Sequence, residues 1–293
     1  MRETVLLLFL KGLSLLPLRA AHGLGALIGW AVWLSPGGPK RVALRNVDLC
    51  FPDWSEERRR TLARDSLIET GKTLTEMGAM WFWPREKVLG LLQGIEGEEH
   101  FERLRDRGKG IIALTPHLGQ WEFLGLVTPR FTPMTSLYRP MRMERLEAPI
   151  TAGRQRTGNR LVPTNSQGVK DIYAALRRNE LAGILPDQDP GKSGGEFAPF
   201  FGVQTYTMSF VSRLAERTGL GVVVGYAERL PKGKGFKVHV VPVGEAVNSK
   251  DLNVSLAAMN ATIEQCIRQC PAQYQWIYKR FKRRPEGEPP IYD

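Results

Sequence analysis

The 293-residue sequence predicts an α/β fold, with a mixed sheet flanked by helices and an apolar helix or helical hairpin at the N-terminus. Three observations lead to this prediction. The segment 5–34 is mostly apolar, strand-like runs alternate with helical ones after residue 110, and two strand-like runs follow each other within 221–243. Alternation of strands and helices is typical of α/β folds, and two successive strands are expected to pair.

The apolar N-terminal segment predicts a membrane anchor over residues 1–36. It is interrupted by Lys11, Pro17, Arg19 and His22. Neither half therefore has the roughly 18 to 20 apolar residues that cross a bilayer, so a kinked span and a hairpin lying in the interface are both open. Trp30 and Trp33 suit the headgroup region, and the basic stretch that follows favours a cytoplasmic location for the rest of the chain. A cleaved secretory signal and a buried core helix are the alternatives.

Residues 37–293 are predicted to form one domain that begins with a helical lead-in. Over 55–92, apolar residues recur at spacings of three and four, as in a helix with one buried face. Four strand-like runs follow, the first three leading into helical stretches and the fourth into a long loop: GIIALT, MTSLYR, RLVPT and LAGILP. The domain then continues with a helix over TMSFVSRLAERTG, paired strands GVVVGYAER and GFKVHVVPV, a helix from about Asp251 to Cys270, and a basic, aromatic tail.

Charge and cysteine content limit the class of protein. The net charge of +11 attracts anionic partners, whether lipid, nucleic acid or an acidic carrier protein. Cys50, Cys266 and Cys270 form no C-x-x-C pair, so neither a disulfide framework nor a zinc site is predicted. The apolar N-terminus and the lack of a recognition motif argue against a nucleic-acid-binding protein.

One His and one acid stand out in LTPHLGQWE, where His117 follows an apolar strand and Glu122 comes five residues later. On one continuous helix these side chains would point apart by about 140°, so they can meet only across a bend. A carboxylate that accepts a hydrogen bond from one imidazole nitrogen leaves the other nitrogen to take a hydroxyl proton. The pair therefore predicts an oriented general base, with a hydrogen-bonded structural histidine as the alternative.

A second acidic motif, PDQDPG, contains Asp187 and Asp189. Two carboxylates could bind a metal, but no third acid or histidine lies nearby in the sequence, and the Pro-Gly pair is typical of a turn that an Asp caps. We therefore predict a structural or substrate-orienting role for these residues. No metal and no other cofactor is predicted.

Taken together, these segments resemble the lipid A late-acyltransferase family. The resemblance runs nearly end to end, and it rests on linked motifs in the same order: LLPL, RVALRNVDLCFPDWSEERR, HLGQWE, LYRP, GRQRTGNRLVP, LPDQDPG followed by FAPFFG, and QWIYKRFKRRP. It implies a bacterial inner-membrane enzyme with its catalytic domain on the cytoplasmic face. Such an enzyme transfers a fatty acyl chain from an acyl-acyl carrier protein to a hydroxyl of a lipid A precursor.

The resemblance also implies roles for particular residues. His117 and Glu122 would form the catalytic dyad, while Arg154 of GRQRTG and Arg139 of LYRP would bind substrate. Substrate contacts are also expected from the acidic motif, at Asp187, Gln188 and Asp189. One departure concerns the acceptor, because this chain reads YRPMRMERLEAP where many relatives have an asparagine shortly after YRP. Another bacterial glycolipid or amino-acid lipid as acceptor, or an inactive lipid-binding relative, are the alternatives.

Overall fold

The N-terminal part of the protein is helical. In this computed structural model, which describes residues 2–191 and 193–292, five helices precede the first strand. They are α1 (Arg2–Ser14), α2 (Leu18–Leu34), α3 (Gly38–Cys50), α4 (Glu56–Phe82) and α5 (Arg85–Leu89). The helix α3 lies where the sequence shows turn formers followed by basic residues. A proline in its first turn, Pro39, suits a helix start because its missing N–H would have no acceptor there.

The two N-terminal helices are short. The helix α1 has 13 residues and α2 has 17, whereas a bilayer-spanning helix needs about 20. Within 2–191 and 193–292, no helix combines the length and the apolar character needed to cross a membrane. The predicted anchor therefore remains unconfirmed.

Helix α2 packs against α4 at backbone distance, because glycines face each other. A Cβ added to Gly25 would lie 2.5 Å from the Lys72 Cα, and one added to Gly71 would lie 2.1 Å from the Gly25 carbonyl oxygen. A Cβ on Gly78 of α4 would similarly lie 2.6 Å from the Ser14 nitrogen at the end of α1. Both N-terminal helices are thus packed into the same body as α4.

The remaining elements begin with a strand and a helix that the sequence analysis does not assign, and after residue 110 strands and helices alternate as predicted. They are β1 (Leu92–Glu96), α6 (Glu98–Arg105), β2 (Ile111–Leu114), α7 (Trp121–Val127), β3 (Met134–Tyr138), α8 (Glu144–Gln155), β4 (Asn159–Pro163), α9 (Ser166–Arg177), β5 (Leu181–Ile184), β6 (Gly195–Phe200), β7 (Val203–Met208), α10 (Phe210–Thr218), β8 (Gly221–Arg229), β9 (Phe236–Pro242) and α11 (Leu252–Gln269). Seven strands form one sheet in the order β1-β9-β8-β2-β5-β3-β4. Only β8 and β9 pair antiparallel in it, so the predicted mixed α/β sheet is confirmed.

A two-stranded hairpin, β6 and β7, is the main departure from the predicted elements. The sequence suggests a long loop there, followed by a helix that begins near Thr207. In the structure Thr207 belongs to β7, and α10 begins at Phe210. The strands turn at Phe201 and Gly202, both with positive φ. Because proline is rare within strands, Pro199 prevents the prediction of β6 from residue propensities.

The sheet register decides which loops meet. Strands β2 and β5 are parallel neighbours, with Leu114 opposite Ile184. His117 and Asp187 each lie three residues beyond those positions, so the loops that carry them leave the same edge of the sheet side by side. The main core packs the centre of the sheet against α3, α4, α9, α10 and α11, and it includes Trp276 and Phe281 of the C-terminal tail.

Candidate active site

The His117 loop, residues 115–120, is fixed to its neighbours by backbone contacts. Gly119 has φ +62°, and an added Cβ would lie 2.0 Å from the Ala227 carbonyl oxygen, so no larger residue fits. Its N–H donates to the Gln273 carbonyl at 3.0 Å, and the Gln120 N–H donates to the Ala227 carbonyl at 2.9 Å. Ala227 lies on β8, which is parallel to β2. The loop is therefore held by the strand next to its own.

Asp187 binds His117 twice. The His117 backbone N–H donates to one carboxylate oxygen at 3.0 Å, and the ring Nδ1 lies 2.9 Å from the other. Because an ionised carboxylate only accepts hydrogen bonds, Nδ1 carries a proton, and in the neutral ring Nε2 is therefore the nitrogen with the lone pair. Among residues 2–191 and 193–292, Nε2 has no hydrogen-bond partner, and the side chain is 14% exposed. This is the geometry of a general base that is open to a substrate hydroxyl.

Asp187 stays ionised although it is buried. Burial by itself would raise the pKa of Asp187, but the electrostatic attraction to the His117 ring and the hydrogen bonds from that ring and its backbone outweigh burial and lower it. The phenol of Tyr274 also contacts this carboxylate, and burial together with the negative charge of Asp187 raises the pKa of Tyr274. The hydroxyl therefore stays protonated beside the carboxylate.

Glu122 has a different partner from the one expected. It lies in the first turn of α7, but its carboxylate accepts two hydrogen bonds from Arg154 of α8, one from Nε at 2.8 Å and one from Nη2. The acceptor for the imidazole is Asp187. The prediction of a direct hydrogen bond between His117 and Glu122 is therefore wrong. The spacing within one motif does not reveal that β5 lies beside β2, and that adjacency supplies the other acid.

The ion pair of Glu122 and Arg154 is largely buried, with side-chain exposures of 7% and 25%. Burial acts to lower the pKa of Arg154, but the Glu122 carboxylate reverses this and raises it. The guanidinium carbon also lies 5.8 Å from the centre of the Trp81 ring. Arg154 is thus held in one orientation from two sides.

The other predicted substrate-binding residues are spread more widely. The Gln188 amide donates to the Gln275 side chain at 2.9 Å, and Asp189 accepts from Arg283 at 2.7 Å. These two residues of the PDQDPG loop therefore fasten the basic C-terminal tail. Arg139 is exposed just after β3. Among the described residues, no group of three His, Cys, Asp or Glu side chains is placed to hold a metal ion.

A small apolar cavity of about 70 Å³ lies on one face of the sheet, beneath α6 and α7. Its wall includes Thr115, two residues before His117, and Leu124, two residues after Glu122. Ala113 of β2 and Val223 of β8 form part of its floor. The cavity lies next to the His117 loop and presents an almost wholly apolar surface.

A buried polar network behind the loop could not be predicted from the motifs. Glu76 of α4 and Arg229 at the end of β8 are both buried, and Glu76 also contacts Gln120 of the loop. The only sequence signal was a glutamate within the apolar end of a helical pattern, EMGAMWF, where a solvated charge would be out of place.

Comparisons with known proteins show the family of this chain. The family model described as "Bacterial lipid A biosynthesis acyltransferase" matches residues 3–283. The chain is 32% identical to the lipid A biosynthesis palmitoleoyltransferase of Escherichia coli (strain K12), over 86% of this chain and 81% of the relative. It is 31% identical to the lauroyltransferase of the same organism, over 86% and 82%, and 25% identical to its myristoyltransferase, over 95% and 86%. The chain belongs to the bacterial lipid A biosynthesis acyltransferase family.

Proposed function

We propose that the protein transfers a fatty acyl chain from an acyl-acyl carrier protein thioester to a hydroxyl of a lipid A precursor, without a metal or other cofactor. The observation that carries this proposal is the His117–Asp187 pair, in which the ring is oriented and Nε2 is open. The names of the relatives supply the acceptor class.

In the proposed reaction, His117 Nε2 removes the proton of the acceptor hydroxyl as its oxygen attacks the thioester carbonyl. Asp187 stabilises the imidazolium that forms. When the tetrahedral intermediate collapses, the C–S bond breaks and the imidazolium returns the proton to the leaving thiolate. The products are an ester and the free carrier thiol. A positioned base of this kind contributes about 10²- to 10⁴-fold in rate.

Negative charge on the carbonyl oxygen needs its own donors. The backbone N–H groups of Leu118, Gly119 and Gln120 are already used, because they donate to carbonyl oxygens of the protein. We assign the developing charge to the next two N–H groups, at Trp121 and Glu122, which start α7 and have no acceptor within a helix.

Arg154 is proposed to bind an acceptor phosphate, with Glu122 fixing its orientation. A planar guanidinium presents paired donors that match phosphate oxygens. Glu122 accepts hydrogen bonds from Nε and Nη2 of Arg154, and these bonds fix the plane of the guanidinium. Arg139 is the second candidate for phosphate because it is exposed at the same edge of the sheet. Asp187, Gln188 and Asp189 act from the neighbouring loop, Asp187 on the base and the other two by fixing the tail beside it.

The proposed location is the cytoplasmic face of the bacterial inner membrane. Nine of the ten large apolar side chains exposed on the described surface lie in the first 74 residues. On α2, Leu24, Leu27 and Leu34 point outward, and near its end the Arg64 guanidinium lies 5.6 Å from the Trp30 ring. Apolar side chains bordered by aromatic and basic residues suit a helix that lies in the interface. The net charge of +11 favours both anionic headgroups and an acidic carrier protein.

The proposal is tested with purified protein in detergent, acyl-acyl carrier protein and a lipid A precursor, by mass spectrometry of the products. His117→Ala and Asp187→Asn should each lower kcat by about 10²-fold or more, and a chelator should have no effect. His239→Ala is the matched control, because His239 also pairs with a carboxylate, Glu228 at 2.8 Å, but lies on β9. Retention of more than about a tenth of activity in His117→Ala would contradict the base assignment.

The acceptor is tested separately, in cells that lack the protein and in cells that regain it. An added acyl chain on lipid A is the expected result. An unchanged lipid A together with a newly acylated glycolipid or amino-acid lipid would favour the alternative acceptor, consistent with the sequence YRPMRMERLEAP. Absence of transfer to any lipid would indicate an inactive relative.

A further inference from the structure

Behind the His117 loop lies a charged group that the proposed reaction does not use. We infer that Glu76 of α4 is a positioning residue, which fixes the loop by accepting a hydrogen bond from Gln120. This inference rests on the proposed function, because it assumes that His117 is the base.

The Glu76 carboxylate is completely buried and fully occupied. One oxygen accepts from Arg229 Nε at 2.5 Å and from His22 Nε2 at 2.5 Å. The other accepts from Arg229 Nη2 at 2.6 Å and from Gln120 Nε2 at 2.7 Å. A single carboxylate therefore joins α2, α4, the end of β8 and the His117 loop.

This group is ionised in the folded protein. Burial acts to raise the pKa of Glu76, but the charge and hydrogen bonds of Arg229 outweigh burial and lower it to about 2. A buried ion pair is weak evidence for stability, since well-packed apolar residues often replace one without loss. The buried charge is better explained by the side chains that it positions. Among the hydrogen-bond partners of Glu76 given above, Gln120 is the one that belongs to the His117 loop.

Gln120 is suited to transmit this restraint. It is fully buried, lies three residues after His117 and occupies the N-cap position of α7, whose first residues are Trp121 and Glu122. Its backbone N–H binds Ala227 and its side chain binds Glu76, so the loop is tied to β8 and to α4 at one residue. Asp187 holds the other end of the short loop through His117.

A second route joins the same network to the loop. The Gln273 side chain exchanges two hydrogen bonds with the Arg229 backbone, at 2.8 and 3.1 Å, while its carbonyl accepts from Gly119. Arg229 therefore supports the loop both through Glu76 and through Gln273. Errors of about 1 Å in the placement of a catalytic group can cost about a hundredfold in rate, so this support bears directly on catalysis.

The decisive variant is Gln120→Met, which keeps the side-chain length and the backbone hydrogen bond but removes the donor to Glu76. We expect kcat to fall by about tenfold or more while the donor KM changes by less than about twofold. The control is Thr73→Val, which removes a 2.7 Å hydrogen bond from Arg229 in the same network without touching the loop. It should lower Tm but leave kcat near normal.

A second variant, Glu76→Asp, keeps the charge that Arg229 needs but retracts the carboxylate from Gln120, and it should lower kcat in the same way. Normal kcat in both Gln120→Met and Glu76→Asp, with His117→Ala inactive, would overturn the inference and leave the proposed function intact. An equal loss of kcat in Thr73→Val would also overturn it, because the network would then act only through stability. Full activity in His117→Ala would instead refute the proposed function.

Discussion

At the scale of single residues, two carboxylates near His117 have different partners. Asp187 accepts from the imidazole, whereas Glu122 accepts from Arg154. Under the proposed function, the acid of the H-x-x-x-x-E motif would therefore influence the reaction through an arginine. In the proposed mechanism, one carboxylate thus orients the base and the other places a positive charge.

Glu122 and Arg154 should act as one unit in a double-mutant cycle. Glu122→Gln and Arg154→Gln are each expected to lower kcat/KM strongly, because either change leaves a largely buried charge without its partner. The double variant should be no worse than the more damaging single variant. Steady-state kinetics of all four proteins measure this. Additive losses would show that Glu122 contributes independently of Arg154, for example by contacting His117 during turnover.

The buried Glu76–Arg229 pair predicts how stability depends on pH. The pKa of Glu76 falls from its ordinary value of 4.5 to about 2, so the stabilisation is complete above about pH 5 and is lost as the pH falls toward 2. Thermal midpoints should therefore drop steeply across that range. The double variant Glu76→Gln with Arg229→Met should show a flatter profile, whereas Arg229→Met alone should lower the free energy of unfolding by about 3–5 kcal/mol. Parallel profiles for the wild type and the double variant would contradict this account.

At the scale of elements, the site depends on which strands are neighbours. The alternating runs are sufficient to predict the α/β class, the β8–β9 pair and the helix α11, because those signals are local. Strand order is not local, and β2 lies between β5 and β8 although about 70 and 110 residues separate them along the chain. For this reason His117 can be identified from its motif, whereas its contact with Asp187 and the support from Gln120 cannot.

The apolar cavity beneath α6 and α7 is expected to receive part of the acyl chain, because it adjoins the His117 loop. Ala113→Leu would fill it from the floor at β2, with a cost in overpacking of about 1–3 kcal/mol. We expect a shift of kcat/KM toward donors with shorter chains, measured with acyl-acyl carrier proteins of graded length. A uniform loss of kcat/KM for every acyl length would indicate that the acyl chain binds outside this cavity.

At the scale of the whole molecule, the N-terminal helices have two distinct faces. The inner face of α2 carries Gly25 and Gly29 against α4, and its outer face carries Leu24, Leu27 and Leu34 toward solvent. Deleting residues 1–36 would therefore do more than remove the proposed attachment surface. It would also uncover Gly71 and Gly78 of α4 and remove the His22 hydrogen bond to Glu76.

Charge on the outer face is the cleaner test of membrane attachment. Leu8→Lys with Leu27→Lys alters side chains that are 63% and 69% exposed, so the fold should lose little stability. We expect the variant to sediment much less with vesicles of phosphatidylethanolamine and phosphatidylglycerol. Val254→Lys on α11, an apolar site elsewhere whose side chain is 46% exposed, is the control and should bind as the wild type does. Unchanged sedimentation of the double variant would assign attachment to the basic tail.

The glycine contacts between α2 and α4 also constrain the order of events during synthesis. The helix α2 leaves the ribosome before α4, so its inner face finds its partner only after residues 56–82 have been made. Until then both faces of the nascent hairpin are uncovered, a condition that promotes aggregation. If the proposed attachment brings a bilayer against the outer face at this stage, the bilayer would protect the emerging chain, and attachment and folding would then be coupled in time.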